Sequence, residues 1–313
     1  MPKTQNAKTN PFHKPLIELF ENVAQISHVA SVSEKLYSAQ IKQAEALIKK
    51  HKSQAELGPI LGTSTSLPIA AIDESDGIML YYSYGSIDSF DDRLIATTKE
   101  CELRLYAELL CGAFEEAERF IRKCFAHAKF QSRNGKVKFG GSLGRWKCKN
   151  AKLQAGTVQY FHEFAKGKSN RKLMTEFSRL PYFADDQNRQ ESVRWATDQL
   201  EVYEFARHCI VHNRGVVPER AKRLNKGQRN VIKQITRTSS LANEPRLLPS
   251  SHQARNACSH VTSLGLLLFK AVRTLFSFAT SFPSWLKTTD ALGKRPYPNR
   301  AGFASLSGLA QIV

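Results

Sequence analysis

The sequence predicts a mainly α-helical protein, and three observations carry that prediction. Apolar residues recur at three- and four-residue spacings through most of the chain, strand-forming runs are confined to one short stretch, and the periodic runs end on helix caps and stops. With 313 residues, 42% of them hydrophobic, the chain can bury an ordinary core in one large domain or two smaller ones.

Residues 1–13, rich in Lys, Asn and Thr, read as a flexible tail. From 15 to 52 the residues Leu16, Leu19, Phe20, Val23, Ile26, Val29, Leu36, Ile41, Ala44 and Ile48 fall on helical spacings, which predicts one long helix or a helical hairpin. Lys49, Lys50, His51 and Lys52 crowd its end, where cations complement the helix dipole. Gly-Pro, Leu-Pro and Asp-Gly pairs mark residues 58–91 as a connector. Within it residues 78–84 are strand formers, so a short strand or a hairpin about Asp76-Gly77 is expected. Its three tyrosines suit a small core patch better than base stacking. The longest helix is expected over 94–130, with Glu108, Glu115, Glu116 and Glu118 on its polar side.

Residues 133–152 turn basic and glycine-rich, a composition expected to stay out of the core as a cationic loop. Helical spacing returns over 157–164, 171–180 and 192–213. A second basic stretch, 214–237, sets Arg220, Lys222, Arg223, Lys226, Arg229 and Lys233 against the single acid Glu219. The final helix is expected over 250–278 with a serine cap, and the Pro-containing last 30 residues read as an irregular tail.

Lys and Arg number 46 against 28 Asp and Glu, a formal charge of +18. Such a field attracts polyanions, nucleic acid first among them. The six cysteines lie far apart without zinc-module spacing, and the N-terminus lacks the apolar core of a signal peptide. A cytoplasmic protein with reduced, mostly buried thiols is the expectation. Lys270 and Arg273 interrupt the most apolar run, 261–286, so no membrane span is expected, and core packing explains that run at least as well as docking to a membrane or protein partner.

The chemistry-bearing segment is 204–215, Glu-Phe-Ala-Arg-His-Cys-Ile-Val-His-Asn-Arg-Gly. Val202, Phe205, Ala206, Cys209 and Ile210 give it one apolar face, and Asn213, Gly215 and Pro218 form a helix stop. Arg207, His208 and His212 then gather near the helix end, where the dipole favours an imidazolium by up to about 1 kcal/mol. Arg207 and His212, four residues between them, with His208 after the arginine and Asn213 and Gly215 closing the helix, resemble the signature of the HEPN family. The resemblance covers the long helix carrying Ala-Phe-Glu-Glu-Ala-Glu, the motif helix and the last apolar helix. Two other pairs share the spacing, Arg122 with His127 and Arg255 with His260, but only Arg207 with His212 ends at a helix stop and opens onto a basic loop.

The resemblance implies a helical bundle that dimerises so that two motifs face one another, and metal-independent endoribonuclease activity of the kind common among toxins and phage-defence effectors. It divides the chain into the tail 1–13, an N-terminal helical region and connector 14–91, a HEPN-like helical domain 92–282 and the tail 283–313. His212 would take the ribose 2′-hydroxyl proton, Arg207 would meet charge developing on the phosphate, and His208 would act as leaving-group acid or orient the phosphate. Asn213, whose helix-stop role competes with a binding role, and Arg214, Arg220, Lys222, Arg223, Arg145 and Lys147 are the expected substrate contacts. Glu115 or Glu116 would support the histidine, a solvated helix face being the simpler reading. Arg214 stands where the branch of the family silenced by tyrosine nucleotidylation carries Tyr. No cofactor is expected; as an i, i+4 metal pair His208 and His212 lack a third ligand, and Cys209 stands where a metalloprotease needs Glu. Expected partners are RNA, a second copy of the chain, and an antitoxin or defence-system protein. A non-catalytic nucleic-acid-binding module in a larger complex is the alternative.

Overall fold

A computed structural model describes residues 10–50, 66–72, 79–86, 92–134, 138–139, 153–218, 224–239 and 244–278. Helices dominate in the order α1 (His13–Lys50), α2 (Asp92–Asn134), α3 (Val158–Lys166), α4 (Asn170–Ser178), α5 (Pro181–Ala184), α6 (Gln187–Asn213), α7 (Lys226–Ile235) and α8 (Ser251–Phe276). Two antiparallel strand pairs accompany them: β1 (Ser66–Ile72) with β2 (Met79–Ser86), and β3 (Thr236–Thr238) with β4 (Pro245–Leu247). The mainly α-helical class read from the sequence is therefore correct. Of the two readings for 15–52, the single long helix is the one formed as far as Lys50, where the described residues stop. The first strand pair brackets Asp76-Gly77 as the hairpin reading expected, with Ile69 opposite Tyr82. The side chains of its tyrosines lie outside the described residues.

Caps set the helix starts. Thr157 Oγ1 accepts from Tyr160 N at 3.2 Å to open α3, and Ser169 Oγ accepts from Lys172 N at 3.4 Å to open α4. Ser250 begins α8 as expected: its Oγ accepts from Gln253 N at 3.3 Å while Gln253 Oε1 accepts from Ser250 N at 2.7 Å. Each such cap contributes about 1 kcal/mol.

The described residues separate into two compact units, the first drawn from 10–16, 121–197 and 266–278, the second from 17–120 and 198–265. The first unit is built on aromatics. Phe125 stacks on Phe164 at 6.0 Å and meets the edges of Phe139 at 5.5 Å and Phe177 at 6.4 Å, and burying a ring of this size contributes roughly 2 to 3 kcal/mol. Phe139 corrects the sequence reading of 133–152 as a loop that buries nothing. Its ring is 2% exposed, its N–H donates to Ser132 Oγ at 2.8 Å, and its carbonyl accepts from Lys129 Nζ at 2.8 Å. One large apolar residue thus anchors the start of the cationic stretch, and α2 itself runs on to Asn134.

In the second unit Tyr106, Ala30 and Ala254 form a fully buried cluster with Leu103 and Leu109 against it. Glu100, 2% exposed, accepts from Ser239 Oγ at 2.7 Å and from Arg104 Nη2 at 2.8 Å, so its charge is partnered as burial demands. The basic stretch 214–237 is not all loop: residues 226–235 form α7. Its capping box pairs Asn225 with Gln228 in both directions at 2.9 Å, and Ile232 and Ile235 are buried while Arg229 and Lys233 face solvent. Among the described residues, no helix is long and apolar enough to cross a membrane. Cys111, Cys124, Cys209 and Cys258 are buried free thiols and Cys101 is exposed.

Candidate functional site

The end of α6 is shaped by its two faces. Val202, Ala206 and Cys209 are fully buried, which fixes the helix against the core of the second unit and turns His208 and His212 to solvent. The helix stops where the sequence places the stop. Arg214 and Gly215 both take left-handed backbone, at φ of 52° and 85°. Gly215 N then donates to Cys209 O at 2.8 Å and Val216 N to Asn213 O at 2.9 Å. Gly215 O accepts from Leu247 N at 2.8 Å, so the chain leaving the helix is tied to β4. A Cβ at Gly215 would meet only ordinary contacts, the nearest at 3.5 Å; the backbone conformation is what asks for glycine. Asn213, half-buried, serves the stop through its carbonyl.

Arg207 reaches across to α2. Its Nε donates to Glu115 Oε1 at 2.8 Å, an ion pair in which the arginine is 34% and the glutamate 46% exposed. The hydrogen bond to Glu115 is the main cause that raises the guanidinium pKa, with Glu118 adding negative charge. Among the described residues the two Nη groups bond nothing further, so the outer edge of the fork stays open while the inner edge is fixed. Beneath it, burial above all pushes the Cys111 thiol up to about 12, which leaves it inert as a nucleophile. The rings of His208 and His212 lie 5.0 Å apart at 50°. Val211 beside them is half exposed, at 50%, and Arg214 projects from the same exposed end.

The expected support of a histidine by Glu115 or Glu116 is corrected here. Glu115 holds the arginine, while Glu116 accepts from Asn22 Nδ2 at 2.9 Å and from Arg119 Nη1 at 2.7 Å. Neither carboxylate bonds an imidazole among the described residues. The reason is reach: Arg207 carries the long side chain that crosses to α2, whereas both histidines sit on the solvent side. Sequence reading missed the part of Glu118, although Glu108, Glu115 and Glu118 at three- and seven-residue spacings already drew one acidic line on α2.

The two other Arg/His pairs are built into packing. His127 lies edge-on to Phe12 at 6.0 Å, and burial, with Lys123 and His162 adding to it, lowers its pKa. His260 Nδ1 meets the buried Tyr203 hydroxyl at 2.5 Å, burial pushes it down to about 4, and its Arg255 pairs with Glu34 at 3.1 Å. Only the pair at the end of α6 presents its histidine to solvent. Arg145, Lys147, Arg220, Lys222 and Arg223 lie outside the described residues. So do most of the expected tails, and Cys148.

No group of three or more His, Cys, Asp or Glu placed to hold a metal occurs among the described residues. Comparison with protein-family models, with curated proteins and with solved structures gave no match.

Proposed function

We propose that the chain is a metal-independent endoribonuclease of HEPN type, acting through Arg207 and His212 in a site that a second copy of the chain completes. The observation that carries this reading is the arginine held by one edge at Glu115 with its other edge open, on the same helix end as two exposed, adjacent imidazoles.

His212 takes the proton of a ribose 2′-hydroxyl, and the 2′-oxygen attacks the adjacent phosphorus. The 5′-oxygen of the next nucleotide leaves with a proton from His208. The products are a 2′,3′-cyclic phosphate and a 5′-hydroxyl, and one imidazole gains the proton that the other loses. The open Nη edge of Arg207 receives the phosphate oxygens as charge builds on them. Arg207 and His212 project about 140° apart on an ideal helix, which favours a site composed of two copies. Asn213, Arg214 and the basic residues Arg145, Lys147, Arg220, Lys222 and Arg223 supply the attraction for RNA. A nuclease of this kind fits a toxin or antiviral effector held in check by an antitoxin or defence partner.

The test is incubation of purified protein with RNA in EDTA. Cleavage that leaves 2′,3′-cyclic ends and disappears in His212→Ala is the expected result; dependence on a divalent metal, or undiminished cutting by His212→Ala, overturns the reading. A second reading is favoured by the same ion pair: with Glu115 balancing Arg207, the basic surface of a non-catalytic module would bind nucleic acid without turnover. It predicts salt-sensitive binding, no cleavage of any RNA tried, and binding unchanged by Arg207→Ala.

A further inference from the structure

Between Glu219 and Glu244 the sequence holds no acid, and α7 lies in the middle of that stretch. At about 100° per residue, Lys226, Arg229 and Lys233 project within about 60° of one another, while Ile232 and Ile235 turn into the core. Arg237 continues the row on β3, two residues beyond the helix. All four are exposed, and among the described residues none of their side chains makes an ion pair or a hydrogen bond. Helices α2 and α4 instead match arginines to acids one turn away, Arg104 to Glu100, Arg119 to Glu116 and Arg179 to Glu176.

Hydrogen bonds fix this row beside the end of α6. Near the start of α7, Gln228 Nε2 donates to Glu201 Oε2 at 2.9 Å, which keeps that carboxylate on the inner side of the helix. At the far end Thr236 stands opposite Leu247, whose N–H donates to Gly215 O at 2.8 Å. Arg246 pairs with Val216 on one side and with Arg237 on the other, so the backbone of Arg237 lies about 10 Å, two strand spacings, from the chain leaving α6. Glu244 is taken by Arg246, whose Nε donates to it at 2.9 Å. Arg237 therefore faces another arginine across the strands, an arrangement that destabilises the pair until an anion joins it.

We propose that Lys226, Arg229, Lys233 and Arg237 form a docking face for the sugar–phosphate backbone of single-stranded RNA, which holds the strand beside the α6 site by charge alone. Steps of three or four residues space the α7 cations about 5 to 6 Å apart along the helix, which suits a polymer that repeats its charge. The exposed positions of 225–238 carry no aromatic or aliphatic side chain. The face therefore has nothing to stack on bases or to insert into a bilayer, and phosphate contacts position a strand without reading its sequence. The choice of RNA rests on the nuclease reading of the α6 site, where a single strand is free to bring its 2′-oxygen in line with the leaving oxygen.

The experiment follows the fluorescence anisotropy of a labelled oligouridylate bound to the full-length chain over a range of salt concentrations, with His212→Ala present to prevent cleavage. Lys226→Gln combined with Lys233→Gln is expected to weaken binding about tenfold. It should also lower the slope of log affinity against log salt by about 1.4, since each phosphate contact on a single strand contributes about 0.7. Removing the same charge from α1, as Lys35→Gln with Lys42→Gln, leaves the slope unchanged. All four lysines are exposed, so both variants keep the fold. An oligoadenylate is expected to bind as well and to lose as much. An undiminished slope in the α7 variant, an equal loss in the α1 variant, or a strong preference between the two oligonucleotides overturns the proposal. Binding that depends on α7 in a chain that cuts no RNA overturns the nuclease reading and leaves the docking face standing, whereas a chain that cuts RNA and binds it equally well without the α7 lysines does the reverse.

Discussion

Two segments of the second unit carry an arginine and a histidine at the same spacing, yet the fold puts them to different uses. In α6 the last core residue, Cys209, precedes His212 by three positions, so the histidine extends past the packed part of the helix. In α8 the core residues Ala257, Val261 and Leu264 lie on both sides of His260, so that imidazole stays in the packing and bonds Tyr203. The arginines differ less, since both meet a glutamate of another helix: Glu115 for Arg207 and Glu34 for Arg255. What separates the segments is where the helix stops relative to its apolar stripe.

The sharpest way to break the comparison is to exchange the losses. His212→Ala is expected to lower RNA cleavage by about 10²- to 10⁴-fold, the usual weight of a general base, with a melting temperature unchanged within about 1 °C. His260→Ala is expected to do the reverse. It strands the Tyr203 hydroxyl, 6% exposed, and opens a cavity, a combined cost of roughly 2 to 4 kcal/mol. Thermal unfolding beside cleavage kinetics reads both, and two variants that behave alike would remove the distinction between the segments.

Acid offers the next contrast. Burial takes His260 from the ordinary 6.5 down to about 4 in the folded chain, so the unfolded chain binds one more proton between those values. The contribution of that neutral imidazole is complete above pH 6.5 and is lost as the pH falls to 4 and below, in total on the order of 3 kcal/mol. Denaturant unfolding between pH 7 and 4.5 is expected to show this slope in the wild type and to lose it in His260→Phe. An equal slope in both would place the proton uptake on other groups.

The same contrast explains how much the sequence could disclose. The helices of the fold were legible because their apolar stripes are long: Leu16, Leu19 and Val23 in α1, and Leu110, Phe114, Ala117 and Ile121 in α2, are all buried. The stop at Gly215 was legible because left-handed backbone asks for glycine. Short elements in charged surroundings were not. In α7 the two buried isoleucines are outnumbered by Lys226, Arg229 and Lys233, and composition hid a helix whose Asn225 and Gln228 cap was present in the letters. Phe139 was hidden in the same way, one ring among glycines and lysines. At the site, the spacing located Arg207, His208 and His212, but the partner of Arg207 lies 92 positions away, and no local pattern could say that Glu115 faces the arginine instead of a histidine.

Glu115 therefore sharpens the comparison at a smaller scale. If the carboxylate fixes the inner edge of the guanidinium for a phosphate on the outer edge, Glu115→Gln is expected to lower kcat about tenfold, the worth of one lost charge-assisted contact. KM should stay level or fall, because a competing negative charge has gone. Stability should move by less than about 1 kcal/mol, as for exposed ion pairs generally. A rise in KM with kcat unchanged would mean that Glu115 takes part in binding alone.

The smallest effect expected is at the stop itself. Alanine at Gly215 fits the space, since the nearest atoms to its Cβ would be Arg246 Cβ and Leu247 N at 3.5 Å, so any cost comes from holding an L-residue at φ of 85°. That cost is about 1 kcal/mol. Relief of the strain would draw Gly215 away from Cys209 O and from β4, and His212 sits within one turn of that junction. Gly215→Ala is therefore expected to lower the melting temperature by roughly 2 °C and to reduce cleavage several-fold, while Gly227→Ala, within α7 and without a positive φ, lowers neither. A Gly215→Ala variant that cleaves at the wild-type rate would show that the histidine owes its position to the packed face of α6 and nothing to the way the helix ends.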